Sequence, residues 1–139
     1  MPPGLATYET KYRLLPTPYG VKLYDESSLF SGKIHAVICR SWKSRVKGRD
    51  LYDYIFYLSR KSKYNLPHLR EKLIESSFID KETKLDNDDV KRILVDRFNE
   101  IDFEAAKNDV VPFIKDTNVL DIWSKEFFVD ITTNLLSIN

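Results

Sequence analysis

Apolar positions in this chain fall into two periods, and the change between them divides it. Residues 6–15, ATYETKYRLL, are rich in Thr and Tyr and alternate as a strand does. Pro16-Thr-Pro18-Tyr-Gly20 predicts a turn. Val21 to Tyr24 predicts a second strand, with Val21 and Leu23 facing one way. The two strands read as a hairpin. From Asp25 onward the period is helical. Asp25-Glu-Ser-Ser28 is a capping cluster. Ile34, Val37, Ile38 and Trp42 then mark the buried stripe of a helix over about residues 28–43.

Lys43 to Gly48 is a basic turn. A second helix follows over about 49–61, apolar nearly all round, as a central helix would be. Pro67 predicts the first turn of a short helix over about 67–76. Residues 80–87 are a polar loop. A fourth helix starts near Asn87, with Val90, Ile93, Leu94 and Phe98 on one side. Asp102 opens a shorter helix, and Pro112 breaks or bends the chain. Asp116-Thr-Asn118 predicts the cap of a last helix carrying Leu120, Trp123, Phe127, Ile131 and Leu135. The expected fold is α+β and mostly α. A single domain over 1–139 comprises a β-hairpin (1–27) and a helical region (28–139) of about five to six helices.

Composition changes this picture little. Apolar residues make up 42% of the chain, enough for a core and too many for a disordered segment. Cys39 is the single cysteine, which excludes an internal disulfide and a Cys-rich zinc site; its place on a helix predicts a small core residue. No apolar run is long enough to span a membrane and no signal-peptide pattern opens the chain, so a reducing cytoplasm is the expected compartment.

The net charge of +1 argues for no polyanionic partner, but its distribution is uneven. Residues 31–49 carry six Lys or Arg and no acid, whereas 71–104 carry eleven Asp or Glu against six Lys or Arg. The basic stretch ends at Asp50, and Asp53 lies one turn further on the same helix face, near its positive end. A cation-rich turn leading to two neighbouring carboxylates suits a nucleotide phosphate with a metal or a base.

Residues 29–60, LFSGKIHAVICRSWKSRVKGRDLYDYIFYLSR, resemble the signature half of the AbiEii/AbiGii nucleotidyltransferase toxin family, toxins of abortive-infection, type IV toxin–antitoxin systems. The Lys-x-His-Ala helix and the Lys-Gly-Arg-Asp-x-Tyr-Asp turn carry the resemblance. The preceding TYETKYRLLP and VKLYD and the helical tail extend it to the whole chain, which matches only the later part of a family member. The resemblance implies that the hairpin is a remnant of a polymerase-β-like nucleotidyltransferase sheet, followed by a helical bundle. It implies Mg²⁺, a nucleoside triphosphate and an RNA acceptor (tRNA for some members), an antitoxin partner, and an upstream nucleotidyltransferase segment. Carried over by position, Lys33 meets the triphosphate, Asp50 is the later catalytic and metal-binding aspartate, and Asp53 is its helix neighbour. Arg40, Arg45, Lys47 and Arg49 flank the phosphates or the RNA.

The family's Gly-Ser and Asp-x-Asp motif, which holds its metals, is missing from this sequence. Asp86-Asn87-Asp88 has the spacing alone and sits where carboxylates cap a helix. Asp50 would therefore hold metal only with carboxylates from outside this chain. The expectation is a truncated member, inactive alone. The alternative is a non-catalytic module that binds RNA or an antitoxin, and a third reading is a remnant whose exposed hairpin edge pairs with a second copy. Structural roles also stand beside the catalytic ones. Lys33 could be a solvated helix residue, His35 a support for the turn, and Arg40 an ion-pair partner of Asp50 or Asp53.

Overall fold

The computed structural model describes residues 8–11, 21–39 and 48–138, with backbone alone for 8–11 and 21–24. The opening Met-Pro-Pro-Gly, the turn at 16–20, Trp42 and most of the basic turn lie outside the described residues. The hairpin is present: β1 (Tyr8–Lys11) and β2 (Val21–Tyr24) pair antiparallel, with Tyr8 opposite Tyr24 and Lys11 opposite Val21. Among the described residues six α-helices follow, so the chain is α+β and mostly α.

Helix α1 (Glu26–Cys39) begins at Asp25, whose Oδ1 accepts the Ser28 N–H at 2.9 Å. The sequence placed this start at residue 28. Ile34, Val37 and Ile38 are fully buried, as their spacing predicts. Helix α2 (Gly48–Ser59) ends earlier than residue 61. Lys61 adopts a left-handed φ of 58°, and Ser62 donates its N–H back to the Tyr57 carbonyl at 3.0 Å, which closes the helix. The expectation that α2 is central is corrected in part. Leu51 and Tyr54 are fully buried, but Tyr52 and Phe56 face solvent.

Helix α3 (Leu66–Glu75) carries Pro67 in its first turn and is capped by Asn65, whose side chain accepts the His68 N–H at 2.9 Å. Helix α4 (Asn87–Phe98) opens on a capping box formed by Asp86 and Asp89, and α5 (Phe103–Val110) is capped by Asp102. The acids read as caps are caps. A 3₁₀ turn at Val111–Phe113 contains Pro112.

The last helix differs most from expectation. Asp116 caps only a 3₁₀ turn, Thr117–Leu120. Helix α6 is Lys125–Thr132, capped by Ser124. Leu120 and Trp123 still reach the core, from outside the helix. Leu135 is buried after the helix has ended, just before a short strand that the sequence did not announce. That strand, β4 (Leu136–Ile138), pairs in parallel with β3 (Lys63–Asn65), Tyr64 opposite Ser137.

Aromatic contacts and a few buried hydrogen bonds join these elements. Phe128 of α6 meets Phe98 of α4 and Phe103 of α5, both at 5.2 Å between centroids, and Trp123 at 5.4 Å. Thr132 donates to the Phe128 carbonyl at 2.7 Å, so Tyr54 donates its hydroxyl proton to Thr132 Oγ1, also at 2.7 Å. Ser31, fully buried on α1, bonds both backbone groups of Asn65 and so fixes β3 against α1. Among the described residues no helix is long and apolar enough to cross a membrane.

Candidate functional site

The site is built where α1 passes the first turn of α2. The start of α2 is set by Gly48, whose N–H donates to Asp109 Oδ2 of α5 at 2.8 Å. A Cβ on Gly48 would run into the Ala106 carbonyl, so only glycine lets α2 approach α5 this closely. That contact fixes where Asp50 and Asp53 stand. Asp50 is in the first turn of α2 and its side chain is 7% exposed; Asp53 follows on the same face, 40% exposed.

Lys33 extends from α1 between them. Its Nζ lies 2.9 Å from Asp53 Oδ2 and 3.4 Å from Asp50 Oδ1. Burial pulls the ammonium's pKa down, but the hydrogen bonds and charges of Asp53 and Asp50 outweigh it, and the net pKa is raised above 10.5. Lys33 is thus a permanent cation at neutral pH. The trio sets one ammonium against two carboxyl groups at a partly buried position. Tyr57, half-buried and stacked on Phe30 at 5.1 Å between centroids, borders it. Burial, and then the charges of Asp53 and Glu26, push its phenol pKa up, so it stays protonated and able to donate.

The structure brings together Lys33, Asp50 and Asp53 of the residues singled out in the sequence. Arg49 is next to Asp50 in the chain, but its guanidinium lies over the Phe113 ring, 4.6 Å from the centroid. That contact occupies it with the 3₁₀ turn after α5. Arg40, Arg45 and Lys47 lie outside the described residues, and so does the pairing of Arg40 with either aspartate. His35 Nε2 lies 2.6 Å from Ser76 Oγ at the end of α3, and the turn it is expected to support lies outside the described residues.

Asp50 and Asp53 have the hard oxygen donors that Mg²⁺ takes, and such ions are commonly held by one or two carboxylates completed by water and phosphate oxygens. Among the described residues no group of three or more His, Cys, Asp or Glu could hold a metal ion. The pair fits one ion at most, and the Lys33 ammonium already stands between the two carboxylates. Two residues that shape the site escaped the sequence. Asp109 is one of two acids on a short helix, with nothing local to tie it to Gly48. Tyr57 read as one more apolar residue of α2.

A family model described as "Nucleotidyl transferase AbiEii toxin, Type IV TA system" matches residues 1–130. No curated protein and no solved structure shows significant similarity to the chain.

Proposed function

The chain belongs to the AbiEii nucleotidyltransferase toxins of type IV toxin–antitoxin systems, and from that we propose that it transfers a nucleotide from a nucleoside triphosphate to an RNA end, with tRNA as the acceptor. The family also implies an antitoxin partner. In the reaction a terminal hydroxyl of the RNA attacks the α-phosphorus, the bond to the bridging oxygen breaks, and pyrophosphate leaves. The hydroxyl proton passes to a carboxylate or to water.

The observation that carries this reading is the position of the Lys33 ammonium, 3.4 Å and 2.9 Å from two carboxylates at a helix start. A fixed cation there can neutralise charge building on the phosphates. Asp53 aims it, and Asp50 supplies a carboxylate to a metal or takes up the proton. Asp50 is the residue of this chain that would hold Mg²⁺, and the chemistry such an ion would supply is neutralisation of negative charge on the triphosphate. The remaining carboxylates come from a segment bearing the Gly-Ser and Asp-x-Asp motif, so the chain is inactive by itself.

A second reading is favoured by the same contact. Lys33 is satisfied by its two partners, as a staple between α1 and α2 would be, and the helices would then serve only to bind RNA or the antitoxin. Incubation with Mg²⁺, labelled triphosphates and total RNA separates the two. It is done with the chain alone and with the chain co-expressed with a family segment carrying the missing motif. Label in RNA from the pair only, lost on Asp50→Asn, is the expected result. No label from either preparation, with RNA or antitoxin still bound, establishes the binding module instead.

A further inference from the structure

Three contacts join α1 to α2 in order along their seam. Arg60 Nη2 lies 2.8 Å from Glu26 Oε1 at one end, and Lys33 Nζ lies 2.9 Å from Asp53 Oδ2 towards the other. Between them the Tyr57 ring stacks on Phe30, with 5.1 Å between centroids and 22° between planes. We propose that Tyr57 and Asp53 together seat the cis-diol of a ribose, and that Tyr57 is the residue that tells ribose from deoxyribose. The inference rests on the nucleotide-transfer reading and adds the sugar to it.

Both groups of the seat are unspent. Asp53 and Tyr57 are four residues apart and so share a face of α2. Asp53 meets Lys33 through Oδ2, and its Oδ1 has no hydrogen-bond partner among the described residues. The Tyr57 hydroxyl has none there either. Asp53 is 40% exposed and Tyr57 is half-buried, so a ligand can reach the pair. The ring is nevertheless held, by Phe30 on its face and by Phe56 at 5.4 Å in an edge contact. Those contacts need only the ring. A phenylalanine would serve them equally, so packing leaves the hydroxyl unexplained.

The chemistry of the pair chooses a diol over a phosphate. The carboxylates of Asp53 and Glu26 flank Tyr57 and disfavour an anion, and the two cations of the seam are already paired with them. A ribose is uncharged, and its neighbouring hydroxyls can accept and donate at once. In this seat the 2′-hydroxyl accepts from Tyr57 and the 3′-hydroxyl donates to Asp53. The phenol stays a donor at neutral pH because burial, and then the charges of Asp53 and Glu26, raise its pKa. The ribose is that of the incoming nucleotide or that of the last nucleotide of the RNA acceptor, and the experiment separates the two.

The test is isothermal titration of the full chain with two pairs of probes. One pair is ATP and 2′-deoxy-ATP; the other is a short single-stranded RNA and the same RNA ending in a 2′-deoxynucleotide. In one pair the ribose form binds about three- to tenfold more tightly, the scale of one hydrogen bond, and that pair names the source of the sugar. Tyr57→Phe keeps the ring and its stack on Phe30, so the fold is retained. It abolishes the difference by weakening the ribose form alone. A Tyr57 that only packs would leave the ratio unchanged, and that result overturns the proposal. Equal binding within both pairs by the unaltered chain overturns it too, as does binding of none of the four probes. Lys33→Gln reports separately on the reading beneath. ATP lost on Lys33→Gln, with no effect of Tyr57→Phe on either ratio, keeps the triphosphate at Lys33 and removes the diol seat. ATP unaffected by Lys33→Gln, with the ratio lost on Tyr57→Phe, keeps the seat and removes the triphosphate from Lys33.

Discussion

A Cβ added to Gly48 would collide with the backbone carbonyl of Ala106. Backbone cannot yield as a flexible side chain can, so the collision would push α2 from α5 and carry Asp50 with it. Gly48→Ala is expected to cost about 1–3 kcal/mol through overpacking. Gly32→Ala, in the interior of α1 with open space around it, should instead stabilise by about 0.5–1 kcal/mol, because it removes glycine's entropy cost in a helix. Urea denaturation of the two variants checks the opposite signs. Equal effects would mean that the contact with Ala106 does not hold α2.

Lys33→Met should destabilise by removing the ammonium that lies 3.4 Å from the buried Asp50 carboxylate. Lys33 is partly exposed, so the penalty is screened to about 1–2 kcal/mol. Adding Asp50→Asn to Lys33→Met should recover part of the loss, since the buried charge is then gone. A double-mutant cycle by chemical denaturation measures the coupling. The folded pKa of Lys33 lies above its unfolded value of 10.5. Its stabilisation is therefore complete below pH 10.5 and fades as pH rises through the folded pKa.

The ring of His68 is buried, and its Nδ1 has no hydrogen-bond partner among the described residues. Burial and then the charge of Lys72 lower its pKa below 6.5, against weaker pulls from Glu75, Asp25 and Glu71. Protonation is thus easier in the unfolded chain. The stabilisation is complete above pH 6.5 and is lost as pH falls through the folded pKa. Thermal melts between pH 7.5 and 5 should show a fall in Tm that His68→Phe reduces. An unchanged slope would assign the acid sensitivity to other groups.

Tyr54 and Thr132 allow a finer test. Tyr54→Phe removes a donor, while Thr132 keeps its bond to the Phe128 carbonyl, for a cost of about 1 kcal/mol. Thr132→Val leaves the buried Tyr54 hydroxyl without its acceptor and should cost more, up to about 3 kcal/mol. Guanidinium denaturation resolves the order, and the reverse order would show that Tyr54 is the acceptor in this pair.

What could be read in the sequence was local. Asp86, Asp102 and Pro67 announce helix starts because the groups they act on lie within four residues. Spacing alone put Asp50 and Asp53 on one face. Contacts that depend on distant chain left no such trace. Nothing near Gly48 points to Asp109, and nothing in Ser31 points to Asn65. The apolar stripe from Leu120 to Leu135 reads as one helix because burial keeps its period even where the backbone leaves the helix. Lys33 stands out by resemblance, and its pairing with both aspartates depends on how α1 passes the first turn of α2.

The parallel pairing of β3 with β4 makes the intervening chain a closed circuit, entered at Lys63–Asn65 and left at Leu136–Ile138. Helices α3 to α6 all lie inside it. Closing such a circuit early costs chain entropy that only late contacts return, so the pairing is expected to form near the end of folding. A cut anywhere between α3 and α6 would leave the two strands to find each other as separate molecules. A clipped chain that refolds only at high concentration would be the kinetic signature of this closure.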